Sequence, residues 1–174
     1  MISQTAITPR IKEIAGKFTD TGLDRIFEIL KWVHKNLKAD SGEEYKADNF
    51  RTRTADQIIE SGKLTGCTDY ALVFLSLARA SNFEVKYVEA IETKWMEEGG
   101  ERVLGHVFAE VHLHNTWYIV DPQGALIKAW YGKRYVIYAK GTDSWDIGIR
   151  NFEDLKKKFS EYREKYNTQK IVNA

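Results

Sequence analysis

The chain contains one cysteine, Cys67, which follows Gly66 and opens the apolar run Cys67 to Ala80. That run reads as a helix, and the first turn of a helix leaves backbone N–H groups unpaired at the end where the dipole favours negative charge. A thiolate is stabilised in such a place, and the same amides stand where an oxyanion develops during acyl transfer. A single cysteine also excludes an internal disulfide framework. Taken alone, Cys67 reads as a small, buried, inert thiol.

Two further residues change that reading. From Gly105 to His114 the sequence alternates, with Val107, Ala109, Val111 and Leu113 on one face and His106, Phe108, Glu110, His112 and His114 on the other. The odd-numbered face is expected to be core. If the chain returns through a two-residue turn between Leu113 and Thr116, Asp121 shares a face with His106, directly opposite it or one or two pairs along. Such residues have Cβ atoms roughly 4.5–8 Å apart, within reach of a carboxylate-to-imidazole hydrogen bond. Thiolate, imidazole and carboxylate together make a nucleophile, a proton carrier and a group that fixes the imidazole's orientation. Asp121-Pro122 also reads as a strand-ending turn.

Other candidates carry blander readings. His112 and His114, two apart on one face, could bind zinc with Glu110, but beside a turn they read as solvated. His34 suits the C-terminal end of a helix. The stretch Trp130 to Lys140 mixes basic and aromatic residues that could stack on nucleic acid, yet its alternation reads as a strand. Gln57 and Trp32 have the chemistry of an oxyanion donor; a helix cap and a core aromatic are the expectations adopted for them.

The elements that must position these residues follow from periodicity. Leu23, Ile26, Phe27, Leu30, Val33 and Leu37 mark an amphipathic helix over 21–37. Residues 39–53, with turn signals at Ser41-Gly42 and Asp48-Asn49, read as a loop. Thr54 and Gln57 form a capping box for a short helix that Gly62 ends. After Ser81-Asn82 come strands around Phe83–Ile91, Val103–Leu113, Trp117–Val120 and Tyr135–Ala139. Glu92 to Arg102 reads as a charged loop shaping a cleft. Asn151 caps a last helix from Phe152 to Tyr166. Helices, then strands with short connections, then a helix give an α+β fold, with the buried helix packed on an antiparallel sheet.

The 174 residues are expected to form a single domain spanning 1–174. A net charge of +1 supplies no global field toward nucleic acid or an anionic membrane, so neither is expected as a partner. The first sixteen residues carry Arg10, Lys12 and Glu13 and no apolar signal core, and no later run could span a bilayer. A cytoplasmic location is the simplest expectation. No cofactor and no metal are expected.

Three blocks resemble the transglutaminase-like superfamily. Gly66-Cys67-Thr68-Asp69-Tyr70-Ala71, continuing to Leu77-Ala78-Arg79-Ala80, is similar to its nucleophile helix. Gly105-His106-Val107-Phe108-Ala109-Glu110-Val111 is similar to its histidine strand, and Trp117-Tyr118-Ile119-Val120-Asp121-Pro122 to its aspartate strand. Together they span about Arg53 to Pro122 in the family's order. The resemblance implies a papain-like core with Cys67 as nucleophile, His106 as base and Asp121 as orienting group. The expected activity is cysteine-dependent acyl transfer through a thioester, with hydrolysis of a peptide or other amide bond as the outcome. Amine transfer onto protein glutamine, a cross-linking reaction, is the alternative, and a non-catalytic peptide-binding module on the same fold is a further one. Many members have an aromatic residue directly after the histidine, where this chain has Val107. The extra domains of the large animal enzymes are not expected, and neither is their calcium regulation.

Overall fold

The protein is described by a computed structural model covering residues 3–40 and 42–172. Met1, Ile2, Ser41, Asn173 and Ala174 lie outside the described residues, so the turn expected at Ser41-Gly42 is described only from Gly42 onward.

Helix α1 (Pro9–Ala15) starts where Thr8 accepts from the Ile11 N–H and Pro9 occupies a position whose missing N–H would be unpaired anyway. Helix α2 (Gly22–Asn36) buries Ile26, Ile29, Leu30 and Val33. Phe27, expected on that stripe, sits on its flank and is 43% exposed. A two-residue strand β1 (Lys38–Ala39) follows, then α3 (Glu43–Asn49) and α4 (Ala55–Ser61). The capping box of Thr54 and Gln57 is present, and Gly62 ends α4 at φ 68°. Strand β2 (Lys63–Leu64) pairs in parallel with β1 and leads into α5 (Cys67–Ala80).

The sheet is formed by β3 (Glu84–Glu92), β4 (Gly105–Leu113), β5 (Thr116–Asp121), β6 (Leu126–Lys128) and β7 (Tyr135–Gly141), with α6 (Thr93–Glu98) between β3 and β4. Its order is β6-β5-β4-β3-β7, and every pairing is antiparallel. Helix α7 (Phe152–Val172) closes the chain, with the Asp154 N–H donating to Asn151 Oδ1. The α+β architecture is as the sequence predicts.

Several segments depart from the expectation: α1 was not anticipated, and the last helix runs to Val172, past Tyr166. Residues 39–53 contain α3, which buries none of its side chains and so leaves no apolar period to detect. The charged segment before His106 contains α6, held by buried Trp95 and Met96. Strand β6 is only three residues long, below the length at which alternation is visible.

Helix α5 is buried on almost every side, as its composition demands. It packs against the face of the sheet carrying Val85, Tyr87, Val107, Ala109, Val111 and Val120, with α1, α2 and α4 around it. The opposite face is not open. Tyr131, Tyr135 and Ile137 cover Val88, Ala90, Phe108 and Ile119, so β4 is covered on both sides along its middle. Helices α6 and α7 build a further cluster around Ile91, Trp95, Met96, Leu155 and Phe159.

Candidate active site

Cys67 is the first residue of α5 and is half-buried. The turn that delivers it is held from below. Asp69 is 1% exposed and accepts from Thr65 N at 2.8 Å, Thr65 Oγ1 at 2.8 Å and Arg53 Nη2 at 2.5 Å. A buried carboxylate with that many donors ties the start of the helix to the segment before it. The N–H groups of Cys67 and Thr68, in the first turn, have no intrahelical acceptor.

His106 is the second residue of β4, and its Nε2 lies 2.9 Å from Asp121 Oδ1. The hairpin explains the encounter. Leu113 pairs with Thr116 across the two-residue turn His114-Asn115, whose φ values of 49° and 61° suit a tight hairpin. Ala109 pairs with Val120, so the same register sets Asp121 against Phe108, two residues from His106 on the same face. The contact is therefore diagonal.

Asp121 is anchored further by the Gly124 N–H, which donates to Oδ1 at 3.1 Å, and by Lys128 Nζ, 3.5 Å from Oδ2. Burial resists its charge, but the hydrogen bond and charge of His106, the Gly124 N–H and Lys128 together hold it below the usual carboxylate range. Burial likewise opposes charge on His106. It is outweighed by the hydrogen bonds to Asp121 and Cys67 and by their negative charge, which raise the imidazole to about 9. The surroundings thus favour an imidazolium held by the Asp121 carboxylate, with Cys67 beside it. Phe108, edge-on at 4.7 Å, and Tyr135, stacked at 5.8 Å, wall the ring.

Several neighbours have contacts that the sequence did not show. His34, read as a helix-end residue, hydrogen-bonds the Pro122 carbonyl through Nε2 at 2.8 Å and lies 5.0 Å from the Tyr70 ring on α5. It braces the segment after Asp121 against the nucleophile helix. Arg51 is buried and bonds both Glu89 oxygens, at 2.7 and 2.8 Å, along with Ser144 Oγ at 2.9 Å. Its φ of 59° is unusual for a side-chain-bearing residue. The strained carbonyl is held by donors from Trp145 Nε1 at 2.7 Å and Gln4 Nε2 at 3.1 Å. Arg51 and Glu89 line a cavity of about 730 Å³ together with Cys67 and Thr68.

Gln57 and Trp32 serve as the blander readings have it. The Gln57 side chain accepts from Thr54 N at 2.9 Å and is exposed, while Trp32 packs against the main core. His112 bonds Glu84 at 3.0 Å and stacks on Trp117 at 4.9 Å, and His114 sits in the hairpin turn. Among the described residues no group of three or more His, Cys, Asp or Glu side chains is arranged to hold a metal. In the Trp130–Lys140 stretch, Lys140 bonds Glu110 at 2.6 Å and Arg134 bonds Glu92 at 2.9 Å. Those cations are paired with carboxylates of the sheet. No helix among the described residues is long and apolar enough to cross a membrane.

The fold and this arrangement place the chain in a known class, and comparison agrees. It belongs to the transglutaminase-like superfamily, whose core model matches residues 10–122, more than half of its length. Among solved structures, it is similar to a candidate cysteine protease from Cytophaga hutchinsonii, with 18% identity, a TM-score of 0.64, and coverage of 86% of this chain and 47% of that one. It also matches a TGase at 15% identity and a TM-score of 0.48, covering 75% of this chain and 34% of that one. The chain therefore spans about half of the first protein and a third of the second. No curated protein matches it.

Proposed function

We propose that the protein carries out cysteine-dependent acyl transfer through a thioester on Cys67, with hydrolysis of a peptide or other amide bond as the outcome. The observation that carries this reading is the His106 Nε2 to Asp121 Oδ1 contact of 2.9 Å, with Cys67 near enough to the ring to help hold it charged. In the first half-reaction the Cys67 sulfur forms a bond to the substrate carbonyl carbon. The tetrahedral oxyanion meets the N–H groups at the start of α5, and the C–N bond breaks as His106 gives its proton to the leaving nitrogen. In the second, His106 takes a proton from water, the hydroxide adds to the thioester, and the C–S bond breaks to release the acid and restore the thiolate. Asp121 keeps the imidazole in place and favours its charged form throughout.

An amine can resolve the same thioester, which gives cross-linking in place of hydrolysis; hydrolysis is the reading adopted and amine transfer stands second. The test is iodoacetamide labelling of Cys67 near neutral pH in the wild type and in His106→Ala. Removal of the imidazolium is expected to slow labelling by at least about tenfold. Equal rates in the two proteins would sink the triad. Mass analysis of products from an amide substrate with and without added primary amine then separates hydrolysis from transfer.

A further inference from the structure

The cavity beside Cys67 extends the proposed acyl-transfer function to a substrate class, and rests on it. Cys67 lines this space of about 730 Å³, and so does Gly105, but His106 does not. His106 projects to the other face of β4, against Phe108 and Tyr135. The nucleophile thus stands between two regions with different chemical duties. The leaving nitrogen must reach His106 to be protonated, so the leaving group lies on the side of Tyr135. The acyl portion, on the other side of the scissile carbon, then extends toward the cavity.

The cavity walls say what would fill it. Phe50, Val103, Phe152, Leu155 and Phe159 line it, and the two charged residues in its buried part, Arg51 and Glu89, neutralise one another at 2.7 Å. Glu43, Lys46 and Arg102 also line the cavity but stand on its exposed rim, so a charged side chain reaching the buried part would lose its water against an Arg51–Glu89 pair already joined to itself. An apolar side chain loses nothing, and the volume lies within the roughly 300–1,000 Å³ of pockets that bind small ligands. Phe152, at 49% exposure, stands at the mouth. Phe152, Leu155 and Phe159 all belong to α7, beyond the residues 10–122 matched by the family model.

We infer that the cavity is the acyl-side specificity pocket and selects substrates with an aromatic or long aliphatic side chain next to the scissile carbonyl. The test uses acyloxymethyl ketones of single N-acetylated residues, which alkylate an active-site thiolate in place of a substrate carbonyl. The phenylalanine and leucine compounds are expected to label Cys67 at least about tenfold faster than the alanine and aspartate compounds. Val103→Trp, which fills the cavity, is expected to bring that ratio close to unity; a ratio is used because partial unfolding lowers all four rates together. Binding is followed independently in Cys67→Ala by methyl NMR. N-acetylphenylalanine methylamide is expected to shift the Val103 and Leu155 methyl signals, and the aspartate analogue to leave them unmoved. Methyl signals that ignore both ligands, or labelling rates indifferent to the side chain, would overturn the pocket. Methyl shifts without His106-dependent labelling would instead overturn the triad and leave the pocket standing.

Discussion

His106 presents Nε2, not Nδ1, to Asp121 at 2.9 Å, which leaves Nδ1 as the ring nitrogen available to Cys67. The carboxylate thereby fixes both the tautomer and the direction of the ring. Asp121→Asn keeps the size of the group but removes the charge that favours the imidazolium. Turnover of an amide substrate is expected to fall by roughly 10²–10⁴-fold with little change in thermal stability. In an NMR titration the His106 ring should lose its proton below the wild-type value of about 9. An unshifted titration would show that Asp121 does not govern His106.

The same pair predicts a pH window with opposite edges. His106 rises from its ordinary 6.5 to about 9 on folding, so its contribution to stability is complete below the ordinary value and is lost as pH rises through about 9. Asp121 is held below its ordinary 3.8, so its contribution is present above that value and is lost as pH falls through the depressed one. Urea midpoints measured across pH should decline on the alkaline limb in the wild type and decline less in His106→Ala. The amide-cleaving rate should fall over the same alkaline range, because the general acid is lost.

How much of this was legible in the sequence depended on whether a residue acts through pattern or through distance. Cys67 could be placed because an all-apolar run announces a buried helix and Gly66 marks its start. His106 and Asp121 could be paired because strand alternation and a short hairpin fix faces; the diagonal register was one of the permitted options. His34 could not be read, since its partner Pro122 lies 88 residues away and nothing local signals the contact. Arg51 was hidden for a similar reason: a charged residue in a polar stretch reads as solvated, and its burial is produced by Glu89 and Ser144 from distant elements. The cover over the outer face of β4 could not be read, because Tyr131 and Lys140 reach Glu110 from outside the hairpin. The cavity was legible only at one wall: the charged segment before His106 was expected to shape a cleft and Arg102 lines this one, but the other walls converge from α3 and α7.

Arg51 and Glu89 form a buried ion pair at 2.7 Å, with Tyr87 Oη donating to Glu89 Oε2 at 2.7 Å. Removing one member strands the other. Arg51→Met is expected to destabilise the fold by about 3–5 kcal/mol, and the double variant Arg51→Met with Glu89→Leu by clearly less than the sum of the single changes. Chemical denaturation of the three variants tests this. Additive losses would mean that the two side chains stabilise the fold independently.

Gly105 adjoins His106 and pairs with Ile91 on β3. A Cβ built there would stand 2.8 Å from the Ala90 carbonyl oxygen and 3.0 Å from Phe159 Cε2. Gly105→Ala is thus opposed by sterics from two directions, and only one can yield. The Phe159 ring can be shortened, whereas the Ala90 carbonyl belongs to the strand paired with β4. Gly105→Ala is expected to cost about 1–3 kcal/mol by chemical denaturation. Phe159→Leu added to it should recover part of that loss, measured against Phe159→Leu alone, but not all of it. Full recovery would assign the whole restriction to the ring. Partial recovery would assign the remainder to the β3–β4 backbone, and the His106 ring signals should then stay displaced in the double variant, because the strand that carries the histidine has moved.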